Sequence, residues 1–200
     1  TQAGMDTKVV SPISVAYLMG LLANGANGNT QAEIMKALNM DGTSLTTLNE
    51  AYKGIINTAS RYDSQTKVNV ANCVAVNKQV TLKDDYTKAM QDLYDASVES
   101  MDFASSKATA KINGWCSKQT NGMIPKIVDQ LDANATAVLM NAVYFNGTWA
   151  EKFDKSDTKT ENFRGYTRDI KKVPMMHQQS KFSYTDNKDF AAVTLPYGNG

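Results

Sequence analysis

The sequence predicts an α+β fold, and three observations carry the prediction. Apolar residues recur at helical spacing through residues 12–56. The period changes to two at Val68, Val70, Val74 and Val76. Beyond Trp149 the chain breaks into short alternating segments separated by Asn, Asp and Gly turns. Helices first, then a mixed stretch, then strands is the order of an α+β domain.

The first helix is predicted from Pro12 to Ala23. Ser11 is a suitable N-cap, and Pro12 fits the first helical position, where its missing N–H costs nothing. Ile13, Val15, Ala16, Leu18, Met19, Leu21, Leu22 and Ala23 make it apolar nearly all round, which predicts a buried central helix. Gly20 permits a neighbour to approach closely. Asn24-Gly25 predicts a left-handed end. Thr30 and Glu33 read as a capping box for a second helix with Ile34, Ala37 and Leu38 inward. Asp41-Gly42 reads as a turn. Ser44 then caps a third helix carrying Leu45, Leu48, Tyr52, Ile55 and Ile56.

In the strand that follows, Val68, Val70, Asn72, Val74 and Val76 share one face. Asn69, Ala71, Cys73 and Ala75 share the other. Residues 84–94 read as a helix, 97–103 as a short strand and 106–118 as a helix bearing Ile112 and Trp115, broken by Asn121-Gly122. The run Thr136-Ala-Val-Leu-Met-Asn141-Ala-Val-Tyr-Phe145-Asn-Gly147-Thr-Trp149 is too apolar for either face to meet water, which predicts a central strand of a covered sheet. Asn141 interrupts it. A buried amide left unpaired costs about 1–3 kcal/mol, so it needs partners. Strands are expected near 160–163, 170–175, 181–185 and 191–195.

Composition narrows the function classes. The 200 residues are 42% hydrophobic and 20% charged, enough for one core or part of a larger one. With no repeat and no linker, 1–200 reads as a single, partial domain. Net charge is +1, from 21 basic and 20 acidic residues that are well mixed, so nucleic acid and anionic membranes are poor partners. No apolar stretch approaches the ~20 residues of a membrane span. Thr1-Gln-Ala-Gly-Met shows no signal-peptide pattern.

Cys73 and Cys116 are too few for a disulfide framework and read as small buried hydrophobes, with a bridge between them left open. His177 is the one histidine. It cannot assemble a zinc set, and no nucleophile motif accompanies it, so a surface position without catalytic work is expected and no metal or cofactor is called for. Asn134-Ala-Thr136 and Asn146-Gly-Thr148 are glycosylation sequons, or equally turn asparagines.

Several stretches, in order, resemble the serpin family. Ser11-Pro-Ile-Ser14-Val-Ala is similar to the entry of the family's buried second helix. Asn24-Gly-Ala-Asn-Gly28-Asn-Thr-Gln-Ala-Glu33-Ile is similar to the turn and helix after it. Ile112-Asn-Gly-Trp115-Cys-Ser-Lys-Gln-Thr120-Asn-Gly122-Met-Ile124-Pro resembles the helix across the main sheet and its exit loop. Leu139 to Trp149, with Phe153, is the most specific match, and Val173-Pro-Met-Met176 and Leu195-Pro-Tyr197 match later strands. Met123 departs from a position where the family often has a basic residue.

The resemblance implies a serpin-like α+β fold, helices packed around a large mixed central sheet with further sheets. It also implies a portion of a domain nearly twice this length, lacking the long first helix, the fifth main-sheet strand and the reactive-centre loop. That is expected to leave sheet edges unpaired. It implies a monomeric suicide inhibitor of serine, or some cysteine, proteases, acting by insertion of the cleaved loop into the sheet, with no catalytic residue of its own. The alternative it leaves is a non-inhibitory carrier or chaperone. Ser11, Ser14 and Asn141 correspond to the polar cluster under the opening strands, the shutter, often completed by a histidine from the second half. Trp149 corresponds to the breach where the loop enters, and Ile112 and Trp115 to the helix covering the sheet. Taken without the resemblance, Ser11 is an N-cap, Ser14 a first-turn residue and Asn141 a satisfied core amide. An inhibitor is expected to work outside the cell or in its envelope.

Overall fold

The computed structural model describes residues 10–59, 64–165 and 169–199. They form two compact units. The first takes the described residues of Ser11–Tyr62 and Lys67–Phe145; the second takes Val10 and those of Asp63–Thr66 and Asn146–Gly200.

The first unit contains α1 (Pro12–Gly25), α2 (Gly28–Ala37), α3 (Leu45–Ala59), α4 (Asp84–Tyr94) and α5 (Ser106–Gln119). Its sheet is built from β1 (Thr66–Asn77), β2 (Ala96–Met101) and β3 (Ala137–Gly147), in the order β2-β1-β3. β1 and β2 run parallel, from Asn72 opposite Ala96 to Asn77 opposite Met101. A parallel pair needs a crossover, and α4 supplies it. β3 runs the other way. The Asn77 amide bonds the Thr136 carbonyl at 2.9 Å, while the Asn141 side chain reaches Asn72, so the partners advance in opposite directions. The sheet is therefore mixed.

Period-two alternation along β1 sends neighbouring residues into two separate cores. Val74 joins Tyr17, Leu21, Leu48, Tyr52, Met90 and Tyr94, packed by α1, α3 and α4. Cys73 and Ala75 join Met101, Phe103, Ile112, Leu131 and Met140 under α5. The aromatic rings of the first core interlock: Tyr17 lies 4.9 Å from Tyr52, and Tyr52 lies edge-on to Tyr94 at 6.0 Å.

The second unit pairs β4 (Lys159–Arg164) with β5 (Ile170–Met175), and β6 (Tyr184–Asp186) with β7 (Ala191–Val193), both antiparallel. Its apolar centre is Trp149, stacked on Tyr197 at 4.2 Å with Phe153 edge-on at 5.6 Å.

The helix starts follow the expected chemistry at Ser11, whose hydroxyl accepts from the Ser14 amide, and at Ser44, which accepts from the Thr47 amide. Four expectations need correction. α1 does not end left-handed: its C-cap Ala26 is extended, and Gln31 Nε2 donates to the Ala23 and Ala26 carbonyls, so a left-handed cap is not needed to pair them. α2 starts earlier, after Asn27, without a capping box. Glu33 accepts from the side chain of Asn29 instead, and the buried pair is Ile34 and Met35. Among the described residues α1 is covered on one side: Tyr17, Gly20, Leu21 and Ala23 are buried, Ala16 and Leu18 pack against the same core, and Ile13, Val15 and Leu22 are exposed. β3 is not central among the described strands but the last of three: both its faces meet a core, Leu139 on the α1, α3 and α4 side and Val138 and Met140 under α5, while Phe145 near its end is exposed.

Gly20 is where α1 lets the tyrosines in. A Cβ there would lie 2.6 Å from Tyr94 Oη and 2.7 Å from Tyr52 Cε2. Gly20→Ala is expected to destabilise the full-length protein by about 1–3 kcal/mol through overpacking, read as a lower urea midpoint. The same core makes stability fall in alkali. Burial pushes the Tyr17 hydroxyl from its ordinary 10.0 up to about 12. Between those values the unfolded chain has released a proton that the folded one keeps, so stability present below pH 10 declines as pH rises towards 12. Tyr17→Phe is expected to flatten that decline in urea midpoints measured across this window.

Candidate functional site

The site grows from the end of a helix. Tyr94 closes α4, and Asp95 caps it in the left-handed region at φ 48. Carbonyls in a last turn have no partner within their helix, so the Tyr94 carbonyl needs an outside donor. It finds Asn72, whose Nδ2 donates to it at 2.8 Å from the middle of β1. That bond fixes which way the Asn72 amide points, leaving its Oδ1 towards β3. There Asn141 Nδ2 donates to it, also at 2.8 Å. The chain of donors runs one way, from Asn141 to Asn72 to the backbone of Tyr94.

The Tyr94 hydroxyl continues the network into the helices. It donates to Asn49 Oδ1 at 2.6 Å, and Asn24 and Asn49 exchange hydrogen bonds at 2.9 Å in both directions. Asn49 and Asn72 are buried, as satisfied amides can be. Burial pushes the Tyr94 hydroxyl well above its ordinary range, which keeps it a neutral donor. At the far end of the chain Asn141 Oδ1 is buried and accepts no hydrogen bond among the described residues. One of its two N–H groups is engaged by Asn72, and the atom left without a partner is an acceptor that calls for a donor.

The sequence-predicted residues divide between places. Ser11 and Ser14 meet at the start of α1, where Ser14 Oγ donates to Ser11 Oγ at 2.7 Å. No hydrogen bond among the described residues joins that pair to Asn141. Ile112 is fully buried in the core beneath α5, and Trp115 packs against the same core. Asn69 ties the end of α5 to β1 by donating to the Gln119 carbonyl at 2.8 Å, and Asn113 accepts from the amides of Ile127 and Val128, holding the exit loop. Trp149 belongs to the second unit, stacked on Tyr197. The Ala150 amide bonds the Pro196 carbonyl at 2.9 Å, which brings the Gly-x-Trp turn to the Leu195-Pro-Tyr197 motif.

Asn72 and Tyr94 are site residues that the sequence reading did not single out. Asn72 carried the same signal as Asn141, an amide in a row of valines. Tyr94 carried none, because its contribution is a backbone carbonyl.

Among the described residues no group of three or more His, Cys, Asp and Glu could hold a metal. His177 is half-exposed and pairs with Glu161 at 3.0 Å. Cys73 and Cys116 are buried free thiols, and burial pushes both upwards, away from thiolate chemistry. Among the described residues no helix is long and apolar enough to cross a membrane.

Comparison with known proteins places these features in context. The family model for Serpin (serine protease inhibitor) matches residues 2–200. The leukocyte elastase inhibitor of Equus caballus is 31% identical over 94% of this chain and 51% of its own length. The corticosteroid-binding globulin of Pongo abelii is 29% identical over 96% of this chain and 49% of its own length. The native stressed structure of Arabidopsis AtSerpin1 superposes with a TM-score of 0.85 at 28% identity, covering 98% of this chain and 51% of that one. The chain spans about half the length of the curated relatives it matches.

If the Asn72 amide is a directional link, its chemistry matters more than its volume. Asn72→Asp keeps the shape but sets an acceptor against the Tyr94 carbonyl. It is expected to lose more stability than Asn72→Ala, whose own loss is about 2–4 kcal/mol from the groups left unpaired. Equal losses in urea unfolding of the full-length protein would show that the side chain only fills space.

Proposed function

Because the chain belongs to the serpin family, we propose that the whole protein inhibits proteases as a suicide substrate, by inserting its cleaved loop into the main sheet beside β3. The observation that carries this reading is the state of β3. Thr136 and Thr148 each bond towards β1, the first to Asn77 and the second to Gln65. In an antiparallel ladder alternate residues face alternate sides. Asn141 and Val143 therefore direct their backbone groups to the opposite edge, where no described strand lies. In a domain of twice this length that edge pairs with the fifth main-sheet strand implied by the resemblance, and the family's cleaved loop enters between the two. Strand addition of this kind is the established mode of the family and enters here by family membership.

On this reading Asn141 is a switch residue. A core amide that only packed would have both ends paired. Asn141 keeps a buried acceptor free, which suits a donor supplied by the other half of the protein and exchanged as the sheet opens. Asn72 and Tyr94 extend the proposed shutter of Ser11, Ser14 and Asn141. Trp149 serves the proposed breach, and Ile112 and Trp115 anchor the helix that yields during insertion. The protein acts as a monomer, without a catalytic group or cofactor, on serine proteases or some cysteine proteases, where secreted or envelope proteases are met. The likeness to a corticosteroid-binding globulin favours one other reading, a carrier that uses the same fold without inhibition.

The test is to incubate the full-length protein with a panel of serine and cysteine proteases and run denaturing gels. An SDS-stable adduct, absent when the protease nucleophile is blocked, is expected. Cleavage of the loop with no adduct from any protease would overturn inhibition, and saturable binding of a small apolar ligand would then favour the carrier.

A further inference from the structure

We propose that the side of β1 turned away from β3 is a docking groove for an extended segment of another protein. β1 is longer than its neighbour. β2 starts opposite Asn72, so at Val68 and Val70 no described strand covers that side. Gln65 and Asn77 both bond towards β3. By the period of two, Val68 and Val70 direct their N–H and C=O groups to the opposite edge. A cavity of about 340 Å³ lies there, and both valines line it together with Ile56 of α3 and Leu93 of α4. The volume falls in the ~300–1,000 Å³ range of ligand sites. Its wall is a short row of alternating donors and acceptors, which is what an extended backbone reads.

The rim selects the side chains. Lys53 lies on the α3 side, and Asp92 and Asp95 at the end of α4. Asp92 is engaged by Lys88 at 2.6 Å. Among the described residues neither Asp95 nor Lys53 has an ion-pair partner. The groove thus offers one free carboxylate and one free ammonium beside a strand edge. The complementary occupant is an extended peptide that carries both a basic and an acidic side chain. Nothing in this pairing uses the open edge of β3, so docking and loop insertion are separable.

The test titrates the full-length protein into a fluorescein-labelled, terminally blocked Lys-Thr-Val-Thr-Glu peptide and reads anisotropy. Saturable binding is expected, with loss when alternate amides of the peptide are N-methylated. Val68→Pro removes an edge donor that has no partner in the sheet, a position where proline is tolerated, and is expected to weaken binding at least about tenfold. Asp95→Asn keeps a residue that accepts the left-handed φ and is expected to weaken binding by up to about fivefold, with little effect on a peptide whose lysine is replaced by threonine. Unchanged thermal melting and adduct formation in both variants would keep the result apart from folding and from inhibition. Absence of binding, as when another segment of the same polypeptide fills the groove, or binding that neither N-methylation nor Val68→Pro disturbs, would overturn the proposal.

Discussion

A carbonyl in the last turn of a helix has no partner of its own, and one buried against a sheet cannot turn to water. At Tyr94 that requirement organises the first unit. It draws the Asn72 amide out of a row of valines, orients it, and through it orients Asn141 on the next strand. The tyrosine ring of the same residue ties α4 to α1 and α3 through Asn24 and Asn49. One residue therefore joins the helices to the middle of the sheet, by its backbone on one side and its hydroxyl on the other.

Directionality gives this network its consequence. Each amide in the chain has one donor end and one acceptor end, and each is used in turn until Asn141 Oδ1, where the chain stops at a buried atom. A pure hydrocarbon core would hold the sheet as well. Among the described residues, the unpaired acceptor of the Asn141 side chain and the unpaired backbone edge of β3 fall at the same residue.

The two faces of β1 show a different economy. One face is sealed by interlocking tyrosines that close on Gly20, the other by Cys73, Ala75 and Ile112 under a helix held by the Asn69 and Asn113 amides. The first face is fixed by ring packing with little freedom. The second is also closely packed, by Ile112, Met101, Phe103 and Met140, and polar contacts add to it at the end of α5 and its exit loop.

Much of this was legible in the sequence. Residues 84–94 form the helix that their periodicity predicts, the caps at Ser11 and Ser44 are those their hydroxyls invite, and the alternation at 68–76 assigns each β1 side chain to its face. Such features are set by neighbours three or four residues away. The amide at 141 announced itself for the same reason, as a local break in an apolar run. What depends on distant partners was not legible. Asn24 reads locally as a helix end, yet it is taken by Asn49, and Thr30 reads as a cap, yet lies within α2. Ile13, Val15 and Leu22 read as buried, but burial is a property of what packs on them. The role of Tyr94 was invisible because a backbone carbonyl has no letter in a sequence. Only the tertiary structure, by bringing it against Asn72, decided where the polar chain begins and that, among the described residues, it runs to Asn141.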